Sequence, residues 1–419
     1  MVDLSARADR LDAYLAETDL EAVWFARPNG FAWLTGDAND GIVGPGCGAD
    51  GGGGVGVDLA AGDAAATVSD CGVAAVGYDG TFRALVPSNE ADRFREEVLP
   101  DRIAVETFPW HASSLAEAIA DRSPTPAATD APLGRDGFEV LDASRLRQPL
   151  SEEDCERYRE LGREAAAAVE TVCRQLESGD PEYEVAAAIE ISLASRGVST
   201  PVVCVGGGDR ARRYASPTPS DAELGEYAIV SVTAERGGLY ASLSRTVTFD
   251  APEWLEERHR AAARIEATAL AATRAAIRGD LTGETGGGDL AGEAGDAGER
   301  AEARATSGEV FEAVREAYDA VGFADRWSDH HRGGAAGFAA REWIARPGGD
   351  RPVTAPMGYA WNPTVVGARS EDTYLLASDR SEVLTKTGQW PTVEVDPVDV
   401  PALDGLSVDA FERHTPIVL

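Results

Sequence analysis

Between Trp327 and Thr373 the chain gathers side chains able to move a proton and hold a polar ligand. The first half of this stretch reads Asp329-His330-His331-Arg332-Gly333-Gly334-Ala335-Ala336-Gly337-Phe338, followed by Arg341-Glu342. The second half reads Trp361-Asn362-Pro363-Thr364, then Ser370-Glu371-Asp372-Thr373. Histidine transfers protons near neutral pH, and the glycines beside it let backbone approach a bound group closely. Glu371, just ahead of the strand-like run Tyr374-Leu375-Leu376, can hold an amine, a metal or a water. This set of residue types describes a hydrolytic cleft, and it also describes hydrogen-bonded structural histidines and a salt-bridged carboxylate. On an extended segment Asp329 and His331 share a face, while His330 points the opposite way and orients the loop.

The elements that must position these residues follow from the rest of the chain. At 419 residues, two domains are expected. Leu4, Leu11, Tyr14 and Leu15 recur at helical spacing over 4–18. A strand at Leu20–Phe25 precedes a turn and a short apolar piece, Pro28 to Leu34, stopped by Gly36. A glycine-rich loop, 44–54, lacks the lysine and the strand–helix setting of a phosphate loop. Strands at 55–57, 65–68 and 85–86, a helix over 90–98, a strand over 103–108 and a helix over 115–121 complete an alternating α/β domain.

Past Arg147 the pattern changes. Ser151-Glu152-Glu153 starts a long helix with acids in its first turn. A helix from Pro181, strands at 202–205, 227–233 and 240–249, and a helix over 253–278 follow. Residues 279–307 are acidic and glycine-rich and predict a flexible surface insertion. A helix over 309–320 leads into the chemistry-bearing stretch, strands at 382–384 and 392–394 trail it, and the tail after Pro397 reads as extended and irregular. His259 falls on a helix, where exposure or capping is expected, and His111 and His414 have no motif around them.

Composition excludes several partners. The formal charge is −34, from 72 acidic and 38 basic residues, and Lys386 is the single lysine. Excess carboxylate with almost no lysine predicts a surface built for high salt, where screening suppresses self-repulsion. No basic face is available for nucleic acid. Cys47, Cys71, Cys155, Cys173 and Cys204 are scattered, without a CxxC pair, and fit reduced cytoplasmic thiols rather than a disulfide framework or a zinc ribbon. Asp3, Arg7, Asp9 and Arg10 make a helical pattern rather than a signal segment, and no apolar run is long enough for a membrane span. A cytoplasmic protein without membrane partners is expected.

Several motifs in order resemble the M24 superfamily of aminopeptidase P, methionine aminopeptidase, prolidase and creatinase. Asn29-Gly30-Phe31-Ala32-Trp33-Leu34-Thr35-Gly36 resembles the creatinase-type N-terminal domain, placed at 1–145. Ser244-Arg245-Thr246, His331, Asn362-Pro363 and Glu371-Asp372-Thr373 are similar to the motifs of the α+β pita-bread domain, placed at 151–396, with 397–419 as a tail. The resemblance implies a homodimer and a cleft in the second domain. Catalytic members hold two divalent metals through Asp, Asp, His, Glu and Glu. The matching positions here are Ser231, Ser242, His331, Asn362 and Glu371. A further family histidine falls at Ser216, and the catalytic histidine seven residues past the ligand histidine falls at Phe338.

One carboxylate and one imidazole do not close the oxygen-rich shell of a hard cation. No metal or other cofactor is therefore expected, although weak binding of a single divalent ion such as zinc stays compatible with the pattern. Three functions follow. The favoured one is a metal-independent hydrolase of C–N bonds in small peptide-like or amidino substrates. In it His331 shuttles the proton, Glu371 and Glu342 hold a cationic group, and Asn362, Ser242, Ser231 and His330 bind substrate. The second is a non-catalytic module whose cleft binds a peptide or other partner. The third is a metal-dependent Xaa-Pro aminopeptidase, with Asp329 or Glu342 rebuilding the site. Arg245 is expected to tie strand to strand.

Overall fold

The computed structural model describes residues 2–36, 72–281 and 305–419. The glycine-rich loop, the strands expected at 55–57 and 65–68, Cys47, Cys71 and most of the 279–307 insertion lie outside the described residues. Two compact units emerge, Met1–Gln148 with Glu235–Tyr240, and Pro149–Ala234 with Ala241–Leu419.

The first unit is built on a six-stranded mixed sheet. Its strands are β1 (Ala22–Phe25), β2 (Ala75–Tyr78), β3 (Phe82–Pro87), β4 (Ala104–Phe108), β5 (Ala127–Thr129) and β6 (Phe138–Val140), in the order β4-β3-β2-β1-β5-β6. Its helices are α1 (Leu4–Thr18), α2 (Pro28–Thr35), α3 (Ala91–Arg93), α4 (Leu115–Arg122) and α5 (Ser144–Arg147). Trp24, Leu85, Phe108, Leu115 and Ile119 fill one core between sheet and helix. Helix α2 corrects the expected turn and apolar piece. Pro28 sits in the first turn, where its missing N–H costs nothing, and Gly36 ends the helix at φ +89°. A Cβ on Gly36 would lie 2.4 Å from Val2 Cγ2, so only glycine fits that stop. The helix expected over 90–98 divides into α3 and a π-turn, Phe94–Val98, closed by the Leu99 amide on the Phe94 carbonyl at 2.9 Å.

The second unit opens on α6 (Glu152–Cys173), started by a capping box in which Ser151 and Asp154 exchange hydrogen bonds. Then come α7 (Glu182–Ala194), β7 (Ser199–Gly207), α8 (Gly208–Arg213), β8 (Tyr227–Arg236), β9 (Leu239–Thr248), α9 (Leu255–Arg278) and α10 (Ser307–Ala320). A 3₁₀ turn, Ala324–Ser328, leads to β10 (Gly333–Ala336), β11 (Trp343–Ile344), β12 (Met357–Trp361), β13 (Thr364–Val365), β14 (Ala368–Arg369), β15 (Asp372–Leu376) and β16 (Ser381–Val383). The chain closes with β17 (Thr392–Val395), β18 (Phe411–His414) and β19 (Ile417–Val418). Two larger sheets result among the described residues, β11-β10-β12-β15-β16 and β19-β9-β8-β7, beside the two-stranded pairs β13-β14 and β17-β18. Strand β8 is buried from Tyr227 to Glu235, and up to Ala234 it reads as a continuous apolar run in which Ser231 and Thr233 are the exceptions.

The tail departs from its expected irregular course. Strand β18 pairs antiparallel with β17, and β19 joins β9 in parallel. Buried polar partners of Arg413 and His414 hold it there together with the buried Val398, Val400, Leu403 and Phe411. His259 is also corrected: it is buried on α9, and that burial pushes its imidazole down to about 4.

Candidate functional site

Side chains on alternate positions of a strand share a face, and four hydroxyls use this on β8 and β9. Ser231 Oγ lies 2.8 Å from Ser244 Oγ, and Thr233 Oγ1 lies 3.0 Å from Ser242 Oγ. Ser231 and Ser242, the serines expected at the family's carboxylate positions, thus each pair with a hydroxyl of the neighbouring strand. The ladder is docked to β15 through backbone: the Ser244 amide donates to the Glu371 carbonyl at 2.9 Å, and the Ser242 amide to Thr373 Oγ1 at 2.8 Å.

Glu371 is 3% exposed, and both of its oxygens are engaged. Arg341 Nη2 donates to Oε1 at 3.1 Å, while Arg369 Nη2 and Nε donate to Oε2 at 2.8 and 3.2 Å. Ser244 Oγ adds a third donor to Oε2 at 2.8 Å. Arg341 Nη1 also reaches Ser242 Oγ at 3.3 Å, and Arg369 Nη1 reaches the Ala215 carbonyl at 3.1 Å. Burial alone would push the Glu371 carboxyl up; the guanidiniums of Arg369 and Arg341 and the Ser244 hydroxyl outweigh it and hold the pKa below the usual range. The cation that Glu371 was expected to recruit from a substrate is supplied by the fold.

His331 precedes β10, and Asn362 follows β12. The Asn362 amide donates to the Arg332 carbonyl at 3.0 Å, which brings the two segments side by side. Neither imidazole nitrogen of His331 has a hydrogen-bond partner among the described residues, nor has Asn362 Oδ1. Burial, then Arg341, His330, Arg369 and Arg332, push His331 down to about 2. Its imidazole is neutral throughout the physiological range and a very weak base.

The expected opposition of the two histidines does not hold. Their rings lie 4.0 Å apart, and His330 Nδ1 contacts the His331 carbonyl at 2.7 Å. The segment is not a strand, so alternation does not apply. The same-face placement expected for Asp329 and His331 lapses for the same reason: Asp329 ends the 3₁₀ turn in helical conformation, half-exposed, and accepts from Arg326 at 3.2 Å. Glu342 is buried ahead of β11, its amide on the Ala335 carbonyl at 2.8 Å and its carboxylate beside Tyr158. Ser216 lies at the edge of the site, 3.5 Å from Arg369 Nη1. Phe338 is fully buried. Among the described residues no group of three or more His, Cys, Asp or Glu side chains is placed to hold a metal ion.

Beneath this layer a second network holds β9, β15 and the tail together. Arg245 donates to Glu170 at 3.0 Å, Asp372 at 3.0 Å and the Thr385 carbonyl at 2.7 Å, the strand-to-strand tie expected of it. Asp372 also accepts from Arg413 at 2.9 Å and His414 Nδ1 at 2.7 Å. Arg413 further meets Glu266 at 2.5 Å, and Glu266 accepts from Ser370 at 2.6 Å. The sequence did not mark Arg369 or the tail residues Arg413 and His414 for these networks, nor Glu371 as the partner of Arg341. The one available signal was the Arg369-Ser370-Glu371 spacing, which sets guanidinium and carboxylate on one face of an extended segment.

With this geometry in place, comparison with known proteins gives a consistent picture. The model of metallopeptidase family M24 matches residues 156–378. The fold is similar to prolidase from Pyrococcus furiosus, with 18% identity, 90% of this chain and 99% of that chain covered, and a TM-score of 0.64. It is similar to an Xaa-Pro dipeptidase from Bacillus anthracis, with 14% identity, coverage of 94% and 100%, and a TM-score of 0.62. It is also similar to the N-terminal domain of a FACT complex subunit from Cicer arietinum, with 14% identity, coverage of 93% and 98%, and a TM-score of 0.58. No curated protein sequence matches the chain.

Proposed function

The chain belongs to metallopeptidase family M24, and from that premise we propose that it is a metal-independent member whose cleft binds a small polar or peptide-like ligand without hydrolysing it. The observation that carries this reading is the engagement of both Glu371 oxygens by Arg341 and Arg369. Two guanidiniums supply the positive charge that bound cations would bring. A divalent ion at these positions would meet Ser231, Ser242, Asn362 and an imidazole flanked by arginines. It would also have to displace a buried ion pair to reach the one carboxylate. Hard cations need several oxygen ligands, and catalytic zinc needs about three protein ligands. These residues do not fit the two-metal centre of the family, so no step is derived through one.

The same groups support binding over turnover. An imidazole pushed down to about 2 is a poor general base, and at neutral pH it lacks the imidazolium proton of a general acid while keeping one N–H to donate to a ligand. His331 Nδ1 and Nε2 and Asn362 Oδ1 are buried without partners among the described residues, and such atoms favour a ligand that supplies the missing hydrogen bonds. Those unpartnered nitrogens are also what favours the second reading, a metal-independent C–N hydrolase using His331. A homodimer, a cytoplasmic location and a high-salt surface belong to the same proposal, and light scattering checks the first.

Elemental analysis of protein purified without chelator, with hydrolysis of Xaa-Pro dipeptides assayed in parallel, tests the reading. Substoichiometric metal, no dipeptide hydrolysis, and a Tm unchanged by chelator or added manganese are expected. About two divalent ions per chain, the number a two-metal centre holds, would overturn it.

A further inference from the structure

We propose that a cavity of about 330 Å³ between α8, the 3₁₀ turn and the β13–β14 hairpin binds a small molecule through a single oxyanion head, phosphate or carboxylate. In a chain with 72 acidic and 38 basic residues, four arginines line it: Arg212, Arg213, Arg326 and Arg332. Asp329 is the one carboxylate in the lining, and it is paired with Arg326 at 3.2 Å. Arg212 is held by Asp209. Arg213 is exposed and has no carboxylate partner among the described residues. Four guanidiniums against two carboxylates leave a net positive cavity on a strongly negative protein.

Arg332 is the second and independent observation. It is 1% exposed and stacked on Tyr318, its charge centre 5.2 Å from the ring. Nε donates to the Trp327 carbonyl at 3.2 Å, Nη2 donates to the Arg326 carbonyl, and Nη1 has no partner among the described residues. A buried guanidinium with a donor left over is costly unless an acceptor arrives. An oxyanion at the cavity meets the buried guanidinium of Arg332, with Nη1 left to donate, and the exposed Arg212, Arg213 and Arg326, a set able to form charge-assisted bonds. The volume suits a small ligand rather than a macromolecule.

None of Ser231, Ser242, His331, Asn362 or Glu371 lines this cavity, so the proposal stands apart from what the cleft does. Isothermal titration at fixed ionic strength with inorganic phosphate, with glycylglycine and with glycylglycine amide tests it. Saturable binding of phosphate or glycylglycine at one site per chain, with none for the amide, is expected. Tighter phosphate binding identifies a phosphate-bearing ligand, and tighter glycylglycine binding a free carboxylate. Arg332→Met should weaken the preferred probe about tenfold or more, the worth of one charge-assisted bond. Arg213→Ser, at an exposed position that leaves the fold untouched, should weaken it severalfold, and it decides the matter if Arg332→Met does not fold. No saturable binding of either anion, equal binding of the amide, or unchanged binding in both variants would overturn the site.

Discussion

Glu371 carries one negative charge between two guanidiniums, and removing that charge leaves both cations buried and uncompensated. Glu371→Gln is therefore expected to cost about 3 kcal/mol or more, read as a lowered denaturant midpoint with an unchanged slope. Because the folded carboxyl titrates below its ordinary range, its contribution is present at neutral pH and is lost as pH falls through the folded value. His331 acts in the same direction for a different reason. The unfolded chain takes up a proton near pH ~6.5, whereas the folded imidazole waits until about 2. Below the unfolded value the unfolded state binds more protons, so stability falls as pH falls, by about 1.4 kcal/mol per pH unit for this residue. Urea midpoints at neutral pH and near pH 5 check this. His331→Gln should lose about 2 kcal/mol less than the parent over that interval, and identical losses would show that His331 is not held neutral.

At the scale of elements, the hydroxyl ladder of β8 and β9 is positioned by alternation along each strand, and β15 is docked to it by backbone bonds. The less evident element is the tail. Strand β18 is short and has little apolar content of its own, yet Arg413 and His414 reach Asp372, and Arg413 reaches Glu266. Burial raises Glu266, and Arg413 opposes that rise; Asp372, although buried, is held low by Arg245, His414 and Arg413. Replacing Arg413 with methionine keeps much of the volume and leaves two buried carboxylates facing each other. We expect a loss of about 3–5 kcal/mol, together with faster amide exchange in β17 and β18. Exchange unchanged in those strands would show that the tail is held by packing alone.

For the whole molecule the dominant number is the formal charge of −34. Carboxylate repulsion opposes the compact state and is screened as the Debye length shrinks from about 10 Å at 0.1 M salt to about 3 Å at 1 M. Scanning calorimetry in potassium chloride over that range should show the Tm rising by several degrees. A flat or falling Tm would remove the high-salt reading of the surface. Among the described residues no helix is long and apolar enough to cross a membrane.

What the sequence determined by itself was local in origin. Periodicity and helix-start residues placed α6, α7, α9 and α10 within a few residues, since the Ser151 start, Pro181 and the apolar stripes are read from neighbours in the chain. Ordered motifs carried the family, and residue types marked the serines and the asparagine around which the site was expected. Only the tertiary structure decided what stands around those positions. Arg341 comes from a loop and Arg369 from a hairpin, and their meeting on Glu371 depends on how β10, β12 and β15 pair. Arg413 and His414 enter from the far end of the chain, at a separation no periodicity records. The pKa of His331 follows from burial and four charged or titratable neighbours, none of which is encoded in the histidine itself. Local propensity is a property of adjacent residues, whereas charge compensation in a buried site belongs to the packed whole.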